Sequence, residues 1–346
     1  MSATRLPSVD IGIPCYDYGR YLADAVAHAL DQDGVRVRIL IVDDASTDDT
    51  ESIGRTLAAS DERVRYLRHP VNLGPTATFN DAVRWASAEY FALVSADDLL
   101  APGALARAAD VMERRPEVGL VYGEAVDFVD APDRSSIGDP VVERFSNGEE
   151  WLTRRCVEAT NTIRSPEAVV RTRVQHHVGG YEQSLPHTHD FHVWLKVAAV
   201  SDVVRLGGPV HAWYRVHGDN LSIRQIDGLE TELRHRHAAL SLFFAEGWVP
   251  ESLGADLRQA SGDRLAALAI DGANRLLDTS GSSTAADDLV AFAAEVGQPG
   301  RFACSMYGLR RRSGRWWHRS GAAISSRVVR RLRSEIAWRR WRRLPD

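Results

Sequence analysis

The sequence predicts an α/β fold, with a mostly parallel sheet flanked by helices and then a helical C-terminal extension. Three observations carry that prediction. Over the first 125 residues, short apolar runs alternate with amphipathic stretches, the mark of consecutive βαβ units. One run, Val37 to Val42, is a near-continuous β-branched segment, as a strand buried on both faces requires. Beyond Ser222 the pattern changes to Ala/Leu-rich helical spacing.

The elements follow in order. Val9-Asp10-Ile11-Gly12-Ile13-Pro14 reads as a strand ending in a loop, and Leu22, Val26 and Leu30 space a helix over Tyr21 to Leu30. The Val37–Val42 strand runs into Asp43-Asp44, a Ser/Thr/Asp turn and a helix from about Thr50 to Ala59. Val64 to Leu67 is a short strand, Thr76 to Ala86 a helix and Tyr90 to Val94 a strand. Pro102 to Arg114 is a helix with proline at its start, and Val118 to Tyr122 a further strand. Residues 126–165 are less regular, carrying Pro132, Gly138, Pro140 and Gly148. His192 to Val200 is helical, as are the stretches to about Leu277 and then to Val296, separated by a Ser/Thr/Gly loop.

Composition bounds the function. The 346 residues suffice for one large or two ordinary domains, and 44% apolar content excludes wholesale disorder. The net charge of −5 is unevenly placed, because residues 301–346 hold 14 Arg against only Glu335 and Asp346. An acidic body argues against wrapping nucleic acid. Cys15, Cys156 and Cys304 lie far apart without metal-binding spacing, which suggests a reducing cytoplasm. The first ten residues lack a signal peptide's basic start and apolar run, and no 18-residue uncharged apolar stretch occurs. A cytoplasmic protein is therefore expected. The first strand is followed by no G-x-G-x-x-G, and the chain contains no phosphate-binding P-loop and no G-x-S-x-G elbow.

Polar residues gather where strands end: Pro14-Cys15-Tyr16-Asp17, Asp43-Asp44-Ala45-Ser46 and Ser95-Ala96-Asp97-Asp98. In an open parallel sheet, ligands sit beyond those carboxyl ends. Converging carboxylates repel unless a cation or hydrogen-bond donors neutralise them. Carboxylate oxygens suit Mg²⁺ or Mn²⁺, which in turn suit a diphosphate ligand. The plainer alternative for Asp43, Asp44 and Ser46 is that they cap the following helix.

These runs resemble the nucleotide-sugar-binding half of family 2 glycosyltransferases of the GT-A fold. The matching segments are Ile13 to Asp17, Val42 to Thr50, Asn72-Leu73-Gly74 with Asn80, and Ser95 to Asp98 followed by Pro102. Downstream, Val178-Gly179-Gly180-Tyr181, Asp190 to Leu195 and Tyr214 to Ser222 resemble the acceptor-side and closing motifs. The resemblance, over about residues 8–223, implies an inverting, metal-dependent sugar transferase using a nucleotide-diphosphate sugar, uridine- or thymidine-linked. It implies that Pro14, Tyr16, Asp44, Asn72 and Asp97 bind the donor, with Tyr16 on the base, Asp44 on its N3 proton and Asp97 on the ribose. Asp98 and His217 would serve the Mg²⁺ or Mn²⁺ ion, and Asp190 would be the general base. Ser95 stands where many relatives have Asp, and His189 stands where Glu is common before the base. A catalytically inactive nucleotide-sugar-binding or scaffold protein of the same fold is the alternative.

The expected organisation is a catalytic domain over 1–223, divided at 125 into donor and acceptor parts, a helical extension over 224–300 and a basic tail over 301–346. Seven of the 12 histidines lie between His176 and His217. His187-Thr188-His189-Asp190-Phe191-His192 departs from the metallo-β-lactamase pattern by one position, so a zinc hydrolase is disfavoured. His187 and His192 read as acceptor-pocket lining or helix-end residues. The extension reads as a cap, a homodimer surface or an acceptor lobe. In the tail, Ile324, Val328, Leu332 and Ile336 form an apolar stripe among arginines and tryptophans. That pattern fits a peripheral helix on an anionic membrane and equally a helix packed on an acidic body of the same or a neighbouring subunit. No nucleic-acid recognition motif accompanies it. The acceptor, whether a glycan, a lipid-linked chain or a small metabolite, is not legible.

Overall fold

The computed structural model describes residues 5–185, 187–218, 228–279 and 284–298. The basic tail and the Asp219–Ser222 part of the closing motif lie outside the described residues. The chain divides into two compact units, Met1–Leu152 with Asn161–Asn220, and Thr153–Thr160 with Leu221–Asp346.

The first unit is built on strands β1 (Ser8–Cys15), β2 (Arg36–Asp43), β3 (Val64–Arg68), β4 (Tyr90–Leu93), β5 (Leu99–Leu100), β6 (Val118–Tyr122), β7 (Ala125–Phe128), β8 (Val142–Ser146), β9 (Ala168–Arg171), β10 (Asp202–Gly207) and β11 (Ala212–Arg215). An eight-stranded sheet has the order β3-β2-β1-β4-β9-β6-β10-β8. Within it β9 and β8 run against the other strands. A second sheet has the order β5-β11-β7. Helices α1 (Gly19–Leu30), α2 (Thr50–Ser60), α3 (Pro75–Trp85) and α4 (Ala104–Arg114) connect the first strands. Later come α5 (Gly148–Glu158), α6 (Thr172–Val178) and α7 (His189–Val200).

Hydrophobic burial explains why the early pattern was readable. Val9, Ile11 and Ile13 of β1 pack with Ile39 and Ile41 of β2 and with Leu22 and Val26 of α1 in one buried cluster. Each such side chain contributes about 1.5–3 kcal/mol by leaving water. The α4 helix starts later than its proline suggested. Pro102 lies in the turn, Gly103 adopts a left-handed φ of 69°, and the helix begins at Ala104. Burial pushes the thiols of Cys15 and Cys156 up to about 12, so both are unreactive packing residues.

Register positions the strand ends. Cys15 pairs with Asp43, and Gly12 pairs with both Leu40 and Leu93, so β1, β2 and β4 reach the same edge. Backbone bonds extend that alignment into the loops, from the Asp44 amide to the Cys15 carbonyl at 2.9 Å and from the His69 amide to the Asp43 carbonyl at 2.8 Å.

In the second unit, α8 (Gly228–Ala245), α9 (Glu251–Thr279) and α10 (Thr284–Val296) pack together. Leu233, Leu240 and Phe243 of α8 are buried, as are Leu265, Ala269 and Ile270 of α9, and Leu289 and Phe292 of α10. No helix among the described residues is long and apolar enough to cross a membrane.

Gly12 sets how closely α3 approaches the sheet, since a Cβ there would lie 2.4 Å from the Ala82 Cβ. Gly12→Ala is expected to cost about 1–3 kcal/mol through overpacking. A lowered urea midpoint with an unchanged slope is the expected reading; an unchanged midpoint would show that α3 yields freely.

Candidate functional site

The carboxyl edge of β1 and β2 is closed by reciprocal bonds between their loops. The Asp17 amide donates to Ser46 Oγ at 3.0 Å, and Asp17 accepts from the Thr47 amide at 2.6 Å. Asp48 accepts from the Gly19 amide at 3.0 Å, fixing the start of α1. Asp17 and Ala45 both hold positive φ, 56° and 61°. Non-glycine residues in that region are over-determined by their surroundings and cluster at functional sites. Tyr16, between the two loops, keeps 46% of its surface exposed, an aromatic face free to stack on a planar ligand. Pro14 ends the edge from within, its carbonyl accepting from the Ala96 amide at 3.3 Å.

Asp43 and Asp44 face different tasks, and neither caps α2. Asp43 is fully buried and accepts from the Ser46 amide, the Tyr66 hydroxyl and Arg68. Burial works against its charge, but these donors hold its carboxyl below the usual carboxylate range. Asp44 turns instead to the Asn72-Leu73-Gly74 segment. Its Oδ1 accepts from the Leu73 amide and its Oδ2 from the Gly74 amide, both at 2.8 Å. Asn72 is exposed, and its side chain accepts from the same Gly74 amide at 3.1 Å. His69 bridges Asp44 and Asp81 through its two ring nitrogens, at 2.7 and 2.6 Å. Burial alone would favour the neutral ring, but the two carboxylates raise its pKa above the ordinary value.

At the end of β4, Asp97 and Asp98 diverge. Asp97 Oδ2 lies 3.0 Å from His217 Nε2, beyond β11. Tyr18 and Tyr21 pack rings against His217 at centroid distances of 5.4 and 5.3 Å, so α1 holds the imidazole in place. Asp98 Oδ1 accepts from the Arg215 amide at 3.0 Å, while its buried Oδ2 has no hydrogen-bond partner. Burial raises the pKa of both carboxylates, and the charge of Asp97 adds to the effect on Asp98. A cation would relieve that repulsion and satisfy the orphaned oxygen. Among the described residues no group of three or more His, Cys, Asp or Glu side chains is placed to hold a metal. Any ion here would therefore draw further ligands from phosphate and water, the usual arrangement for Mg²⁺.

The Asn72-Leu73-Gly74…Asn80 and Val178-Gly179-Gly180-Tyr181 segments are joined by one clasp. Asn80 donates to the Tyr181 carbonyl at 2.9 Å and accepts from the Tyr181 amide at 2.7 Å. A Cβ on Gly180 would lie 2.1 Å from Asn80 Oδ1, which explains glycine there. Asp190 opens α7, partly exposed, with Oδ2 accepting from Asn161 at 2.8 Å and Oδ1 from the Phe191 amide at 2.7 Å. Burial nevertheless raises its pKa, opposed by neighbouring His189. His189 is seated against Phe79 and Tyr181 at ring distances of 5.0 and 5.6 Å. His192 is fully buried, so it packs within the fold rather than lining a pocket, and His187 is half-buried.

Sequence reading missed His69, Asp81, Asn161, Tyr18, Tyr21 and Glu167. Glu167 is buried, accepts from the Arg164 amide at 2.8 Å, and has its pKa raised to about 8 by burial. It ends a 3₁₀ turn (Ser165–Glu167) that packs on β4, β5 and β11, on the Asp97–His217 side, while Asn161 lies just upstream. Only the spacing of His69 ahead of Asn72 could have drawn notice, and lone histidines are usually structural.

Because the pKa of His69 is raised on folding, its two bonds contribute fully below the ring's ordinary value of 6.5. That contribution is lost as pH rises through the folded value. Urea unfolding from about pH 6 to about pH 9 should show stability falling more steeply for the native chain than for His69→Gln. Parallel curves would contradict the charged bridge.

Residues 10–166 match the family model for glycosyl transferase family 2. The chain is 28% identical over 235 residues to a chondroitin synthase of Escherichia coli, covering 64% of this chain and 31% of that protein. It is likewise 28% identical over 224 residues to a hyaluronan synthase of Pasteurella multocida, covering 64% of this chain and 22% of that protein. The match thus spans about a third or less of these curated relatives. In fold, it is similar to S. aureus TarS 1-349 in complex with UDP-GlcNAc, with a TM-score of 0.61 at 15% identity over 82% of this chain and 79% of that one. It is also similar to the mannosyltransferase PcManGT from Pyrobaculum calidifontis in complex with GDP-Man and Mn²⁺, with a TM-score of 0.51 at 20% identity, covering 89% and 85%. Motifs, sheet order and family match agree, and residues 10–166 form a glycosyl transferase family 2 domain.

Proposed function

We propose that the protein is an inverting glycosyltransferase that moves a sugar from a nucleotide-diphosphate donor, uridine- or thymidine-linked, to an acceptor hydroxyl. The observation that carries this reading is Asp190, a partly exposed carboxylate held by Asn161 and the Phe191 amide with its pKa raised. A raised pKa makes a better proton acceptor for an alcohol, and the two donors aim the carboxylate without consuming all its lone pairs. Two fold neighbours support the donor class, since one binds UDP-GlcNAc and the other GDP-Man with Mn²⁺.

In this reading Tyr16 stacks on the base, Asp44 accepts the base N–H, and Pro14 and Asn72 border the base pocket. Asp97 faces the ribose, and His217 lies toward the diphosphate. Asp98 and His217 would hold Mg²⁺ or Mn²⁺, whose charge would stabilise that developing on the departing nucleoside diphosphate. Asp190 takes the acceptor proton as the acceptor oxygen bonds to the anomeric carbon and the bond from that carbon to the phosphate oxygen breaks. One base acting opposite the leaving group inverts the anomeric centre.

Asp190→Asn should lower kcat by about 10²–10⁴-fold and leave donor affinity within about twofold, measured by turnover and by calorimetric titration. Undiminished transfer would remove Asp190 from the chemistry; absence of transfer in the native chain with every donor would favour the inactive scaffold. Because the raised pKa of Asp190 leaves less carboxylate at low pH, the acid limb of kcat/KM should lie above the ordinary Asp value of 3.8. A limb at or below that value would contradict the assignment. Chelation should abolish transfer and added Mn²⁺ restore it, whereas chelator-resistant turnover would exclude the Asp98–His217 proposal.

A further inference from the structure

His69 lies outside the recognised motifs, yet this buried ring is the hub of a chain of carboxylates. Its Nδ1 is 2.7 Å from Asp44 Oδ1 and its Nε2 is 2.6 Å from Asp81 Oδ2, and Asp81 also pairs with Arg84. Ionised carboxylates only accept, so both bonds form together only when both ring nitrogens carry protons. The raised pKa of the ring agrees with that state.

The count at Asp44 is then informative. A carboxylate offers about four acceptor positions. Oδ1 takes His69 and the Leu73 amide, and Oδ2 takes the Gly74 amide. One acceptor position remains, on Oδ2, in a residue only 2% exposed. With every neighbour donating, Asp44 has no proton of its own to offer.

We infer that the Asp81–His69–Asp44 chain is a positioning device that selects the donor's nucleobase, admitting bases with a ring N–H and rejecting those with a ring-nitrogen lone pair at that point. Uracil, thymine and guanine present such an N–H; cytosine and adenine present a lone pair, which would face the lone pair of Oδ2. A buried acceptor left unpaired, or set against another acceptor, discriminates far more strongly than a missing methyl group. The inference rests on the reading of Asp44 as the group that meets the base. His69 acts through Asp44, so its effect belongs to donor binding and not to the chemical step.

UDP and CDP are the decisive probes, because they differ only at the edge of the pyrimidine. Calorimetric titration of each, with Mn²⁺, into the native chain, His69→Gln, Asp81→Asn and Asp44→Asn reads the device directly. The native chain should bind UDP at least about tenfold tighter than CDP. His69→Gln and Asp81→Asn should each weaken UDP by about tenfold and narrow the UDP/CDP ratio. In turnover, donor KM should rise with kcat nearly unchanged. Asp81→Asn is near-isosteric and partly exposed, so it gives the reading if His69→Gln fails to fold, as judged by circular dichroism. Equal affinity of the native chain for UDP and CDP overturns the inference. Unchanged affinity and ratio in the His69 and Asp81 variants, with UDP weakened in Asp44→Asn, overturns the chain but leaves Asp44 as the base contact. Unchanged UDP binding in Asp44→Asn overturns both.

Discussion

Negative charge gathered at the carboxyl edge of a parallel sheet must be neutralised, and here each carboxylate meets that demand differently. Asp43 is satisfied within the fold by Tyr66, Arg68 and the Ser46 amide. Asp44 is satisfied by a neighbouring loop and a histidine. Asp97 finds His217, and Asp98 is left with one oxygen unmet. Satisfaction thus falls from Asp43, fully met within the fold, to Asp98, whose buried Oδ2 is left without a partner. Low dielectric makes the distinction costly to blur, since a buried charge without donors is expelled or protonated.

Register creates this arrangement before any side chain takes part. Pairing of Cys15 with Asp43 and of Gly12 with Leu93 forces three loops to leave the sheet at one level. The loops then lock together, and Asp17 and Ala45 bear the left-handed backbone that the tight turns require. The segments after β6 are tied to the same unit by the Asn80–Tyr181 clasp and by the turn ending at Glu167, which packs on β4, β5 and β11. Such rigid support suits a site whose reacting groups need fixed separation.

Much of this was legible in the sequence because burial on both sheet faces leaves a strong apolar signal. β2 and its flanking helices follow directly from Val37–Val42 and the spacing around it. Strand ends were legible for the same reason, and with them the placement of Tyr16, Asp44, Asp97 and Asp98 along one edge. Pairings across long sequence separation were not. His69 meets Asp44 from 25 residues away and Asn161 meets Asp190 from 29, and no periodicity encodes either contact. The antiparallel insertion of β9 between β4 and β6 was likewise hidden, because a short Ala-Val-Val strand carries no direction. Nor could sequence tell which carboxylates are satisfied, which is a property of the assembled edge.

In the proposed reaction one carboxylate, Asp190, activates the acceptor on the face opposite the departing diphosphate. Stereochemistry tests it without reference to any variant. Transfer from an α-linked nucleotide sugar, followed by the anomeric proton coupling of the product in nuclear magnetic resonance, reports the configuration formed at the new bond. A β-linked product is the result expected of a single displacement. A product that retains the α configuration would require a second displacement or a different geometry, and would exclude a single displacement assisted by Asp190.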